Sequence, residues 1–216
     1  MLYLYAIAEA GTAAPQAAGV SGAPLAVVEA GALAAICSVL DAAPEATEAA
    51  VVEHAGVVEA AAAGGSVLPV RFGTAFADAA SLRRELADRE SALRRALERV
   101  RGRVELGVRV LVAAAPRAPA ADGRAYLLGR LDEQRRAAAI AEEVHRTLAQ
   151  EAAAETFRVA PGPPLLLSAA YLVDADAVQR FRERVDELAA ARPGVDVLCT
   201  GPWPPYSFAP ADGGGE

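Results

Sequence analysis

The stretch VELGVRVLVA (Val104–Ala113) alternates without a break: Val104, Leu106, Val108 and Val110 fall on one side, Glu105, Gly107 and Arg109 on the other. A two-residue period is what a strand with one buried face requires, because successive side chains point to opposite faces of a sheet. Arginine-rich segments of helical period flank it. Before it, DAASLRRELADRESALRRALERVRG carries Leu82, Leu86, Leu93, Leu97 and Val100 as a narrow stripe and stops at Gly102. After it come a linker, APRAPAADG, and a helix from about Arg124 to about Ala154, with Leu127, Leu131, Ala138, Ala141 and Leu148 at three-four spacing. The two helices are expected to pack as a long antiparallel pair. TFRVAPG and LLLSAAYLV then read as strands. DADAVQRFRERVDELAAARPG reads as a helix capped by Asp174 or Asp176, with Val178, Phe181, Val185 and Leu188 inside, and VDVLCTGPWPPYSF contains the last strand. The order strand, helix, strand, strand, helix, strand is the ferredoxin-like βαββαβ arrangement, with an antiparallel sheet and both helices on one face.

The first part of the chain reads as a smaller α/β unit. LYLYAIA (Leu2–Ala8) is a buried strand, and LAVVEAGALAAICSVL (Leu25–Leu40) is a hairpin turning at Gly31. TEAAVVEHAGVVEAAAAGG is a helix opened by Pro44, Glu45 and Thr47 and stopped by Gly64-Gly65. Its expected inner positions are Val51, Val52, His54, Ala55 and Val58. In SVLPVRFGTAF, Pro69 confines a short strand to a sheet edge. The fold class is therefore α+β with two domains. The expected divisions are residues 1–75 (N-terminal α/β domain), 76–103 (connecting amphipathic helix), 104–208 (ferredoxin-like domain) and 209–216 (flexible tail).

Composition narrows the function. With 54% apolar and 23% charged residues the chain is globular in character. Its net charge of −7 argues against nucleic-acid binding, which needs a basic face to neutralise phosphates. The opening residues lack the basic start of a signal peptide, and no stretch has the roughly 18 continuous apolar residues of a membrane span. The two cysteines, Cys37 and Cys199, lie far apart in strand-like contexts and read as small buried thiols. The expectation is a reduced, cytoplasmic protein that engages neither nucleic acid nor membrane.

No catalytic pattern emerges. His54 and His145 are the only histidines, each alone on a helix, where packing is the commoner role. There is no paired His/Cys spacing for a metal, no nucleophile elbow, and no glycine-rich phosphate loop after a strand. No cofactor is expected and no catalytic residue is assigned. Glu29, beside the Gly31 turn, is either a turn residue or an acid meeting Arg71. Arg71 is either a structural ion-pair partner or a contact for an anion or partner.

Two motifs carry a resemblance. VLPVRFGTAF (Val67–Phe76) and TGPWPPYSF (Thr200–Phe208), together with the opening strand, resemble the gas vesicle protein F/L family (GvpF/GvpL) over nearly the whole chain. The resemblance implies a two-domain accessory protein of gas vesicle formation, without catalytic residues, that contacts the small shell protein GvpA and other gas vesicle proteins. It would then be located in the cytoplasm and at the gas vesicle. The residues that carry the motifs are Pro69, Arg71, Phe72 and Gly73, and Gly201, Pro202, Trp203, Pro204, Pro205, Tyr206 and Phe208. The second motif reads as a clip: prolines hold an extended path, and Trp203, Tyr206 and Phe208 bury against a sheet or between domains. In the contrasting reading Trp203 is an exposed anchor for a partner. The alternative function is a small-molecule-binding or catalytic pair of domains, because the ferredoxin-like fold hosts many chemistries.

Overall fold

The computed structural model describes residues 1–112, 123–160 and 164–210. The expected linker up to its last residue, Gly123, and the last six residues of the expected tail lie outside the described residues. The chain divides into two compact units, one of Met1–Val104 with the segment from Trp203 onward, the other of Glu105–Pro202.

The first unit contains β1 (Leu2–Glu9), β2 (Leu25–Ala30), β3 (Leu33–Val39), α1 (Glu48–Gly64), β4 (Leu68–Pro69), β5 (Ala75–Phe76), α2 (Ala79–Asp88) and α3 (Glu90–Val100). Its sheet runs β2-β3-β1-β4, with β5 also paired to β1. The β2–β3 hairpin turns where expected, at Gly31, whose φ of +58° suits a residue without a Cβ. β1 is central and apolar on both sides. Tyr3 and Tyr5 face α1, while Leu4 and Ile7 face Leu82, Leu86 and Leu93 of α2 and α3. That double burial explains why LYLYAIA has no polar alternation. Pro69 sits in a two-residue edge strand, as its missing N–H demands.

Two expectations for the helices fail here. The segment before Val104 is not one helix: it breaks at Arg89 (φ −108°, ψ 7°) into α2 and α3. The stripe Leu82, Leu86, Leu93, Leu97 and Val100 is buried throughout, so the break leaves no trace in the apolar pattern. In α1 the buried residues are Ala50, His54, Val57, Val58 and Ala61, whereas Val51 and Val52 are exposed. Apolar residues surround this helix on all sides, so its period does not single out a face.

The second unit contains β6 (Arg103–Val112), α4 (Gly123–Ala149), β7 (Ala154–Val159), β8 (Leu165–Asp174), α5 (Val178–Ala190) and β9 (Val195–Trp203), the first and last strands each sharing their outer residues with the first unit. The sheet order is β7-β8-β6-β9, with β7 and β8 antiparallel from Ala154↔Leu172 to Val159↔Leu167. Leu106, Val108 and Val110 of β6 join Ala141, Val144 and Leu148 of α4 and Phe181 and Val185 of α5 in one core. Neither Asp174 nor Asp176 caps α5 through its side chain. The inner stripe of α4 is Ala137, Ala141, Val144 and Leu148; Leu127, Leu131 and Ala138 are exposed. α4 lays the buried stripe on β8 and α5 of its own unit, so of the positions expected to mediate a long helix pair Ala141 and Leu148 are used there instead.

The units also differ from the expected divisions. The helical segment 76–103 belongs with the first unit, and so does the chain from Trp203. The first unit is made from both ends of the chain, and the second unit is the stretch between them.

Candidate functional site

β1, the helices α2 and α3, and the turn from Arg71 to Thr74 enclose a groove of about 600 Å³ in the first unit. The floor is Leu4, Ile7, Leu82, Leu86 and Leu93, the wall is Arg71 to Phe76, and Glu85 and Arg89 stand on the opposite rim. The rim acid and base pair with each other at 3.2 Å. The groove is thus apolar within and charged at its edge, and all of the VRFGTAF motif from Arg71 onward lines it.

The wall is held from the other face of the sheet. His54, only 3% exposed, accepts at Nδ1 from the Tyr3 hydroxyl at 2.9 Å and donates from Nε2 to the Val70 carbonyl at 2.9 Å. A carbonyl only accepts, so the proton is fixed on Nε2 and the ring is neutral. The Tyr3 oxygen in turn accepts the Gly73 N–H at 3.2 Å. Phe72 lies edge-on to both rings, 5.9 Å from Tyr3 and 5.7 Å from His54. Burial lowers the His54 pKa, opposed by its bond to Val70, and burial raises that of Tyr3. Tyr5 does the same for the loop after β1: it accepts from Val20 N–H at 2.8 Å and donates to Ser38 Oγ at 3.2 Å, and Ser38 donates to the Pro24 carbonyl at 3.0 Å.

The second motif lies in the same unit. Pro204, Pro205 and Phe208 are buried, and Arg99 of α3 donates to the Phe208 carbonyl at 2.6 Å. Tyr206 to Phe208 pack beside β4. Tyr206 is 39% exposed. Burial first, then Glu59 and Tyr3, raise its pKa to about 12. The two motifs meet at β4, which the first contains and which Tyr206 to Phe208 of the second pack beside. Trp203 is 46% exposed, which overturns the expectation that it is the buried pin of a clip. The anchors are Pro204, Pro205 and Phe208; the rigid prolines hold the path, and the indole is left at the surface. Gly201 and Pro202 belong to the second unit, where Arg182 donates to the Gly201 carbonyl at 2.6 Å.

Glu29 lies within β2 and not in the turn; it accepts the Gly11 N–H at 3.0 Å and so staples the loop after β1 to the hairpin, a role outside both of its readings. Both cysteines are free thiols, Cys37 buried and Cys199 partly so. Among the described residues no group of three or more His, Cys, Asp or Glu side chains is placed to hold a metal, and no helix is long and apolar enough to cross a membrane.

The chain matches the model of the family described as gas vesicle synthesis protein GvpL/GvpF over residues 1–210. It belongs to the GvpL/GvpF family. It is 39% identical to gas vesicle protein L of a Streptomyces species over 72% of this chain and 67% of the relative. It is 35% identical to gas vesicle protein F2 of Halobacterium salinarum, over 80% of this chain and 74% of that one. Its fold is that of GvpF from Anabaena sp., with a TM-score of 0.82 at 18% identity, covering 98% of this chain and 96% of the other. A second GvpF structure, from Microcystis aeruginosa, has a TM-score of 0.77 at 16% identity, covering 97% and 98%. The Tyr3–His54 and Tyr5–Ser38 relays were not foreseen. Their only trace is the pair of tyrosines in a strand buried on both faces, where a hydroxyl needs a partner.

Proposed function

We propose that this GvpL/GvpF chain is a non-enzymatic accessory protein of gas vesicle assembly that binds the small hydrophobic shell protein GvpA and other gas vesicle proteins, in the cytoplasm and at the vesicle. The single observation that carries this reading is the groove walled by Arg71 to Phe76. Its floor is aliphatic and its rim charged, which suits an apolar protein segment with polar flanks better than a small polar substrate. No histidine serves as an acid or base there: both ring nitrogens of His54 are engaged in holding the wall. The motif residues Pro69, Arg71, Phe72 and Gly73 act in this reading as the wall and its support. Pro204, Pro205 and Phe208 secure the returning chain, and Trp203 and Tyr206 are available to a partner.

We read the second unit as a ferredoxin-like domain. The strand order β7-β8-β6-β9 and the succession β6, α4, β7, β8, α5, β9 support it. The domain boundaries then fall near Val104 and Trp203.

The test is co-expression with a GvpA-type shell protein, followed by affinity capture of the tagged chain. The wild type is expected to raise the soluble shell protein and retain it, and Arg71→Glu, on the groove rim, to retain much less while keeping its circular dichroism spectrum. Failure of the wild type to retain shell protein or any other gas vesicle protein would refute the proposal.

A further inference from the structure

At the far end of β1 from the groove, α3 borders a separate cavity of about 660 Å³. Its lining includes Arg94, Arg95 and Arg101 together with Ser91, Glu9 and Glu98. Arg101 is committed: it pairs with Glu9 and, at 2.9 Å, with Glu98. Among the described residues Arg94 and Arg95 have no such partner, although other arginines of the α2–α3 segment do. Arg83 donates to the Glu29 carbonyl, Arg89 to Glu85 and Arg99 to the Phe208 carbonyl. The surrounding charge is also unusual for this chain. Residues 81–103 hold eight arginines and four acids, a net +4 inside a chain of net −7.

We propose that this cavity is a docking site for an acidic, amphipathic segment of a protein partner, with Arg94 and Arg95 as the groups that receive its carboxylates. Guanidinium groups bind carboxylates through paired N–H donors, so two adjacent uncommitted arginines form a receiving edge for successive acidic side chains. The Glu9–Arg101–Glu98 cluster closes one end of the site and repels carboxylates there. The ligand's charge must therefore sit over Arg94 and Arg95, with apolar groups over Leu97, Ala10 and Ala32. Nucleic acid is the less suitable polyanion. A continuous phosphate chain extends past the α2–α3 segment and meets the acidic remainder of the molecule, whereas a short peptide presents its charge only locally. The site stands on this charge arrangement and not on the gas-vesicle reading.

The experiment is fluorescence anisotropy with the full chain and a labelled amphipathic helical peptide of glutamate, alanine and leucine, beside the same peptide with lysine for glutamate. The glutamate peptide is expected to bind and the lysine peptide not. The double variant R94Q/R95Q, with an unchanged melting temperature, is expected to weaken binding by about tenfold. R146Q, an exposed arginine on α4 paired with Glu142, is expected to leave binding unchanged. Equal binding by the double variant and the wild type, equal binding of the two peptides, or tighter binding of a single-stranded oligonucleotide through the same two arginines would each overturn the proposal.

Discussion

His54 and Val70 are joined through a 2.9 Å bond from Nε2 to the main-chain carbonyl, across which a helix on one face of the sheet holds the wall of a groove on the other. The same ring accepts from Tyr3, and Tyr3 accepts from Gly73, so one neutral imidazole fixes both ends of the Val70–Gly73 turn.

This arrangement makes stability depend on pH. Burial, its leading cause, lowers the folded-state pKa of His54 below the ordinary 6.5. The unfolded chain then binds the proton more readily than the folded one, so stability is full above the ordinary pKa and falls as pH drops through it. Protonation would also leave the Tyr3 hydroxyl facing a donor where it needs an acceptor. The melting temperature of the wild type is expected to fall between about pH 7.5 and 5.5 more steeply than that of His54→Gln. Parallel curves for the two proteins would remove His54 from the account.

Two glycines should respond in opposite directions to alanine. A Cβ on Gly19 would stand 2.5 Å from both Ser38 Oγ and Tyr5 Oη, inside the relay that holds the loop after β1. Gly56 is exposed in the middle of α1 with nothing within 4 Å of such a Cβ. Gly19→Ala is expected to cost more than about 2 kcal/mol through the broken buried hydrogen bonds. Gly56→Ala should gain about 0.5–1 kcal/mol from helix propensity. Urea denaturation of the two variants checks the contrast, and a gain at Gly19 would contradict the close packing.

Trp203 is the one tryptophan, so intrinsic fluorescence reports on it alone. At 46% exposure its emission should be red-shifted and iodide should quench it readily. Trp203→Ala should change stability by no more than about 0.5 kcal/mol. Phe208→Ala should cost about 3–5 kcal/mol, because that ring is the buried anchor of the segment. Blue-shifted emission, or the opposite ranking of the two variants, would restore the buried pin.

Arg99 offers a narrower test. It donates to the Phe208 carbonyl across the returning chain. Arg99→Ala is expected to destabilise by about 1–3 kcal/mol, the usual range for a charge-assisted bond, and to speed proteolysis at the C-terminal end. Arg84→Ala, on the exposed side of α2, should do neither.

Strands and turns were the most legible parts of this chain. β6 shows a clean two-residue period because one face meets α4 and α5, and the β2–β3 hairpin was marked by Gly31. Helical faces were less legible. Alanine fills the inside and outside of α1 alike, so Val51 and Val52 seemed as good as Ala50 and Val57. The Leu127–Leu131 repeat of α4 is exposed because the stripe that meets β8 is offset from it, at Ala137, Ala141, Val144 and Leu148. The Arg89 break keeps every leucine inside and so leaves no mark in the pattern. Of the candidate site, the two motifs were legible as composition, prolines set among aromatics in a chain poor in aromatics. Their meeting at β4 was not, because it depends on a return of the chain that only tertiary contacts reveal.

The two ends of the first unit are separated in the chain by the whole of Glu105–Pro202. On a ribosome adding about 5–20 residues per second, Tyr3, His54 and the Val70–Gly73 turn emerge seconds before Pro204, Pro205 and Phe208 exist. During that interval the edge at β4 has no cover, while the whole of the second unit is being made. The half of the molecule translated first is therefore the half completed last, and its groove-bearing sheet spends part of its early life as an open surface.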